Sequence, residues 1–548
     1  MSQGYDYIVV GGGSSGAPLA ARLSEGGDAR VLLLEAGPRP RGLDFKIPVA
    51  LTKLWFSPAA TWSYMTEPEP GLDGRRLPVP RGRVLGGTSA INGMVVTRGA
   101  AADYDRWESL GLPGWSYKDV LPYFKRVESN WRGATPDHGD HGPLPTTRYP
   151  AVSPYSPLAF AAAEAMGFSA TDDFCGPQPE GFGFPDFNIR RGRRITSADA
   201  YLTPARSRPN LTVETGARVL RVLIEDGRAV GVEMLQDGQT RTVRAEHEVL
   251  LCGGAIASPQ LLLLSGVGGA DELKLAGVAP VVDLPGVGRE LEDQPAARFA
   301  LASDPSIGFQ SQLRADRVAL SAIRWFLFGT GPLAALPLLA SFIVRTRPEA
   351  TQPDMRLMVG AAPLESRIWF PGVRTPAPPV MTAAFSLCHP KSRGWVKLAS
   401  ADPLAQPRIA FNLLTDPEDL AEMRRGYRMM REMLRQPTLA LHAREMVQPP
   451  VEPKTDDEID AYLRAMAATT FHPIGSCRMG VGEDAVVDGA FRVRGVEGLR
   501  VVDTSVFPTQ IGGNPNVPAM MIAEKAADLI LGRPAPAPEL AQEPEAMP

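Results

Sequence analysis

Tyr5-Asp6-Tyr7-Ile8-Val9-Val10-Gly11-Gly12-Gly13-Ser14-Ser15-Gly16 is the stretch on which the fold turns. Tyr5 to Val10 is an aromatic and β-branched run, and an Ala/Leu-rich segment with helical spacing follows Gly16 to about Ser24. A second short apolar strand, Val31 to Leu34, ends in Glu35 and Ala36. Strand, glycines, helix, strand and acid in that order predict a dinucleotide-binding unit. Gly11 makes the turn, Gly13 lets the backbone approach a pyrophosphate, and Gly16 lets helix and strand pack closely. The helix start, with Ser14 and Ser15 beside it, offers free N–H groups to the phosphates. Glu35 accepts from ribose hydroxyls and repels a 2′-phosphate. The motif alone does not separate FAD from NAD.

Working outward, 548 residues exceed what one core fills, since cores stop growing at about 250 to 300 residues, so two domains are expected. The net charge of -4 and the lack of a basic run argue against nucleic acid as a partner. Cys175, Cys252, Cys388 and Cys477 form no C-x-x-C pair, which suits a reducing cytoplasm better than a disulfide framework. The chain enters its first strand without a secretory pattern. The apolar stretch Ala319 to Val344 is broken by Arg324, Gly329, Gly331 and two prolines, so no transmembrane segment is expected and peripheral membrane contact is left open. Residues 534–548 are mostly Pro, Ala and Glu and read as a disordered tail.

Three further Gly-rich segments follow. Arg81-Gly82-Arg83-Val84-Leu85-Gly86-Gly87-Thr88-Ser89-Ala90-Ile91-Asn92-Gly93-Met94 is a long loop that a nicotinamide dehydrogenase does not require. Gly254-Ala255-Ile256-Ala257-Ser258-Pro259-Gln260 and Leu284-Pro285-Gly286-Val287-Gly288-Arg289-Glu290-Leu291-Glu292-Asp293 come next. Their order and spacing resemble the glucose-methanol-choline (GMC) oxidoreductase family. The resemblance implies FAD, and in the family the first loop lies along the pyrophosphate and isoalloxazine. That puts Arg83, Gly86, Gly87, Ser89, Asn92, Gly93, Met94 and Val95 at the cofactor. Some members bind flavin covalently through a histidine where this chain has Ile91, so dissociable, non-covalent FAD is expected. By the same resemblance the Val219 backbone holds the adenine and Asp503 contacts the FAD chain.

Six histidines occur. His138 and His141 lie in a Gly/Pro loop with aspartates but without a further ligand cluster, so no metal site is expected. His472, in Phe471-His472-Pro473-Ile474-Gly475-Ser476-Cys477, and Gly512-Gly513-Asn514-Pro515-Asn516-Val517-Pro518 resemble the two family segments that meet over the flavin. Hydride leaves an alcohol carbon readily only as the hydroxyl proton is removed, so a base is needed, and His472 is assigned that role. The Asn514 amide stabilises the developing alkoxide. Asn514 as N-cap, Pro515 as first helical residue and Gly532 as terminator predict the following helix, whose positive end favours negative charge on the ring; Asn516 completes the cofactor set.

The expected fold class is α/β: a Rossmann-like FAD-binding domain from residues 1–155, 203–300 and 468–533, and a substrate domain from 156–202 and 301–467 built on an antiparallel sheet covered by helices. Phe471, Phe326 and Leu338 are expected in the substrate pocket, favouring an apolar or aryl primary alcohol over choline. The electron acceptor is oxygen, a quinone or an electron-transfer protein, and the protein is a monomer or dimer. A sugar dehydrogenase, a photodecarboxylase or a non-catalytic flavin protein on the same scaffold are the rival readings.

Overall fold

The computed structural model describes residues 4–148, 153, 155–304, 309–362 and 366–539. The parallel centre of its first sheet forms where the sequence runs are mainly apolar, as strands buried on both faces require. β1 (Tyr5–Val10) and β2 (Val31–Glu35) flank the glycine turn, and α1 (Gly16–Leu23) is buried except at Arg22. β3 (Leu211–Thr215) pairs parallel with β2. β4 (Arg218–Glu225), β5 (Arg228–Gln236) and β6 (Gln239–Leu251) follow as an antiparallel meander. The far end of β6 pairs parallel with β1 on one side and with a short strand at Leu499–Val501 on the other. The order is therefore β3-β2-β1-β6-β5-β4, the glycine turn lying at the carboxyl end of β1.

α2 (Tyr117–Val127) and α3 (Gly254–Leu264) pack around this sheet. The chain then enters a second, wholly antiparallel sheet through β7 (Pro295–Ser303), so the boundary expected at residue 300 falls inside a strand. After α4 (Ala315–Phe328) come β8 (Leu338–Val344), β9 (Met355–Gly360), β10 (Val380–Leu387) and β11 (Ala443–Gln448), in the order β11-β7-β10-β9-β8. Alternation decides which face is covered: Phe299, Met355, Leu357, Val359 and Phe385 are buried beneath α5 (Pro417–Leu434), which contributes Met423, Tyr427 and Met430, and α6 (Asp456–Met466). Asp416 caps α5 by accepting from the Glu418 N–H, and Pro417 occupies its first turn.

α7 (Asn516–Ile530) packs on α1 and α2 and buries Glu524, Lys525 and Asp528, each of which is partnered: Arg22 with Glu524, Arg126 with Asp528, and Lys525 with the Gly114 carbonyl. The helix begins one residue later than expected, after Pro515, because the Asn514 side chain is committed to the site instead of capping. Gly532 does turn left-handed just beyond the end, at φ 63°. Of the expected tail, residues 540–548 lie outside the described residues. The preceding segment runs against α2, where the Glu539 N–H donates to the Lys118 carbonyl and its carboxylate pairs with Lys125.

Candidate active site

One elongated cavity runs from the glycine turn to His472. At its dinucleotide end Gly11 adopts φ +106°, and a Cβ there would stand 2.6 Å from the Cys252 carbonyl oxygen. A Cβ on Gly16 would lie 1.8 Å from the Gly11 carbonyl oxygen, so both positions exclude any other residue. Gly13, Ser14, Ser15, Ala36, Val219, Pro515 and Asn516 line this end, while Gly16 sits behind the wall. The Ser14 hydroxyl donates to Asn516 Oδ1 at 2.8 Å, which turns Asn516 Nδ2 to a buried position with no partner among the described residues. A backbone cradle at Gly11 and Gly13 with an unspent amide donor fits a pyrophosphate.

Glu35 lines the cavity and accepts from the Gly12 and Gly37 N–H groups at 3.0 and 2.7 Å. Burial pushes its carboxyl up to about 7 against those bonds, and its remaining lone pairs suit ribose hydroxyls. Asp503 also lines the cavity, accepting from the Gly254 N–H at 2.8 Å and from the Ser258 hydroxyl at 2.5 Å, and so clamps the start of α3.

The loop after Arg81 contributes Gly87, Asn92, Gly93, Met94 and Val95 to the lining. Gly86 and Ser89 brace it from behind: the Ser89 hydroxyl donates to the Gly86 carbonyl at 2.6 Å and accepts from the Ser197 N–H at 2.9 Å. Asn92 Oδ1 accepts from Arg194 and from the Met94 N–H, which fixes the left-handed Met94 at φ 60°. Arg83 is not in the wall; its guanidinium lies over the Trp62 ring. Ile91 lines the cavity and offers no nucleophile for a covalent flavin link.

At the other end His472 and Asn514 meet. Gln294 Nε2 donates to the carbonyls of Cys388 (2.8 Å) and Ile511 (3.0 Å), so its Oε1 must accept, and it does so from His472 Nδ1 at 2.8 Å. The proton of the neutral imidazole is thereby assigned to Nδ1 and the lone pair to Nε2. On the far side Asn514 Oδ1 accepts from Arg356 at 2.8 Å and from Thr97 at 3.1 Å, which turns its Nδ2 toward His472 Nε2, 3.0 Å away. Burial, then the cations of Arg356 and Arg81, hold the His472 pKa well below its ordinary value. His472 is therefore neutral throughout the neutral range, and kcat/KM should show no acid limb near pH 6.5 or above; a bell-shaped profile with such a limb would overturn this assignment.

Phe471 stands beside the base at φ 65°, its ring edge-on to Trp55 at 5.5 Å, its carbonyl held by Arg81 at 2.8 Å. The other two expected pocket residues are elsewhere. Phe326 is 65% exposed on the outer face of α4, and Leu338 is buried against Met94 behind the lining. An apolar run has the same composition whether it covers core or meets solvent, and only the packing of α4 decides between them.

His138 is satisfied structurally. It is buried between Glu128 (Nδ1, 2.7 Å) and Asp173 (Nε2, 2.9 Å), with Arg98 also on Glu128. Burial works to lower its pKa, but the two carboxylates outweigh it and lift the group to about 9. A folded-state pKa above the unfolded one adds stability below the unfolded value of about 6.5 that is lost as pH rises through 9. The unfolding free energy from denaturant titration should accordingly fall across that window by on the order of 3 kcal/mol, and His138→Gln should flatten the slope.

A dinucleotide cradle joined to a neutral, tautomer-fixed histidine describes a dinucleotide-dependent oxidoreductase, and the family to which the chain belongs makes the dinucleotide FAD. Residues 5–296 and 390–523 match two family models, each described as GMC oxidoreductase. The chain belongs to the GMC oxidoreductase family; it is an FAD enzyme acting on a CH–OH donor. It is 41% identical over 540 residues to the mitochondrial choline dehydrogenase of Mus musculus, covering 97% of this chain and 90% of that one. It is 40% identical over 531 residues to the oxygen-dependent choline dehydrogenase of Sinorhizobium medicae (strain WSM419), covering 96% of each. Among solved structures, pyridoxine 4-oxidase from Mesorbium loti superposes with a TM-score of 0.86 at 31% identity, over 97% of this chain and all of that one.

Proposed function

We propose that the enzyme oxidises a primary alcohol to the aldehyde with His472 as general base. The observation that carries this is the 3.0 Å approach of Asn514 Nδ2 to a His472 Nε2 whose neighbour nitrogen is already protonated. FAD, when bound, supplies the hydride acceptor. An alcohol oxygen lodged against both atoms donates its proton to Nε2 and accepts from the amide. As the proton leaves, the charge on oxygen grows, and Asn514, polarised by Arg356, stabilises it. Gly13, Asn516 and the Arg81–Val95 loop hold the cofactor, with Ile91 leaving it dissociable.

For the substrate we favour an apolar or aryl alcohol. Phe471 and Trp55 give the carbinol end an aromatic wall. The carboxylates in the lining are Glu35 and Asp503, both bound by N–H groups at the dinucleotide end, whereas Arg81 and Arg356 face His472. A quaternary ammonium would meet the Arg81 cation in the wall and the Arg356 cation behind Asn514, while the neighbouring carboxylate, Asp293, lies outside the lining and is bound by the His472 backbone N–H and the Thr469 and Thr470 hydroxyls. Anaerobic bleaching of the flavin absorbance tests the reading. Benzyl alcohol should show kcat/KM at least about tenfold above choline, a difference of about 1.4 kcal/mol. Choline as the better substrate would overturn the substrate assignment alone. Bleaching by sugars only, fatty-acid decarboxylation in light, or no turnover at all would overturn the alcohol reading itself. Peroxide yield per alcohol consumed separates oxygen from other acceptors.

A further inference from the structure

α4 presents Leu320 (67% exposed), Ile323 (57%), Phe326 (65%), Leu327 (62%) and Phe328 (72%) to solvent. Their spacing places most of them on one helix face, while Ser321 and Trp325 are buried on the opposite side, Trp325 anchored by its Nε1 donating to the Gly192 carbonyl at 2.6 Å. The loop 366–374 extends the same patch. Its Trp369 carbonyl accepts from the Ala315 N–H, and Ile368, Phe370 and Val373 are 51%, 45% and 83% exposed. An apolar surface of this extent on one face marks an interaction site.

The charge around it says with what. Beside α4 a concavity is lined by Arg148, Arg191, Arg317 and Arg324 together with Leu320 and Phe328, and no acidic residue lines it. None of these four guanidiniums pairs with a carboxylate among the described residues, whereas most cationic side chains elsewhere in the chain do. The loop adds Arg367 and Arg374 and brings no acid within 366–374; the acid on α4 itself, Asp316, is taken by Arg314. A second copy seated symmetrically on this face would set arginine rim against arginine rim. No helix among the described residues is long and apolar enough to cross a membrane. We infer that α4 and the 366–374 loop form a monotopic docking surface for an anionic lipid bilayer, the apolar side chains entering the acyl boundary and the arginines receiving lipid phosphates.

Flotation of the holoenzyme with vesicles tests this. The protein should co-float with vesicles of 70% phosphatidylcholine and 30% phosphatidylglycerol. Binding should fall about tenfold with pure phosphatidylcholine, and as much again in Phe326→Glu/Leu327→Glu or in Arg317→Gln/Arg324→Gln. Leu275→Glu, at a residue 89% exposed elsewhere, should leave it unchanged. Flavin absorbance and alcohol oxidation with a water-soluble acceptor should be unaltered in all variants. No flotation, equal binding of the Phe326→Glu/Leu327→Glu variant, or a concentration-dependent dimer abolished by that variant would overturn the inference, the last pointing to a protein interface instead.

Discussion

His472→Ala should lower kcat/KM for a primary alcohol by about 10²–10⁴-fold while the purified protein keeps its yellow colour and its FAD-to-protein ratio. The separation is expected from where the residue sits. His472 touches Gln294 and Asn514 at the chemical end of the cavity, whereas the cofactor cradle is built by Gly11, Gly13 and the loop 86–95. Without the imidazole the hydroxyl proton has no acceptor, since the nearest carboxylate, Asp293, already receives the His472 N–H and the hydroxyls of Thr469 and Thr470. Asn514→Ala should cost about 10²-fold, and the double variant little more than His472→Ala alone, because donor and base act on one oxygen. Loss of flavin in His472→Ala would make the residue part of the cofactor site and remove it from the chemistry.

The dinucleotide unit was legible because its determinants are local. The Gly11 turn, the close packing at Gly16 and the acid at Glu35 follow one another within a single βαβ unit, and the fold places them in register. The determinants of β10 and α5 are local in the same sense, alternation in Val380–Leu387 and helical spacing in Pro417–Leu434. The partners that orient the active-site pair were not. Thr97, Gln294 and Arg356 come from three distant elements and share no spacing with His472 or Asn514. Gln294 stood one residue beyond the segment ending at Asp293, and that adjacency was its one signal; Arg356, second in its strand, had none. Phe326 was misplaced because composition cannot tell a covered apolar face from an open one.

The missed partners bear on one question, how a buried imidazole keeps a single protonation state. Burial, with two nearby arginines, depresses its pKa, which makes it a persistent base but leaves both neutral tautomers accessible to an unconstrained ring. A histidine with the proton on Nε2 would present a donor to the substrate and to Asn514, and catalysis would stop. Something must therefore fix Nδ1, and Gln294 is that group.

Gln294→Leu should accordingly reduce kcat by about 10²-fold, comparable to removing an oriented donor from an active site. Leucine fills similar space but accepts nothing from Nδ1–H and donates nothing to the Cys388 and Ile511 carbonyls. Three buried polar groups then lack partners, which should also lower the unfolding free energy by about 1–3 kcal/mol for each group left unsatisfied. Stability loss alone would show as reduced FAD occupancy and a raised KM together. The tautomer argument requires a different pattern: kcat falls, KM for the alcohol moves less than about threefold, and flavin content stays with the folded fraction. Gln294→Glu sharpens the test by its pH dependence. Its carboxylate still accepts from Nδ1 but places an anion against the ring, raising the His472 pKa, so activity should recover toward high pH and acquire an acid limb that the parent enzyme lacks. If Gln294→Leu turned over alcohol at the parent rate, the proton on His472 would be placed by something other than Gln294.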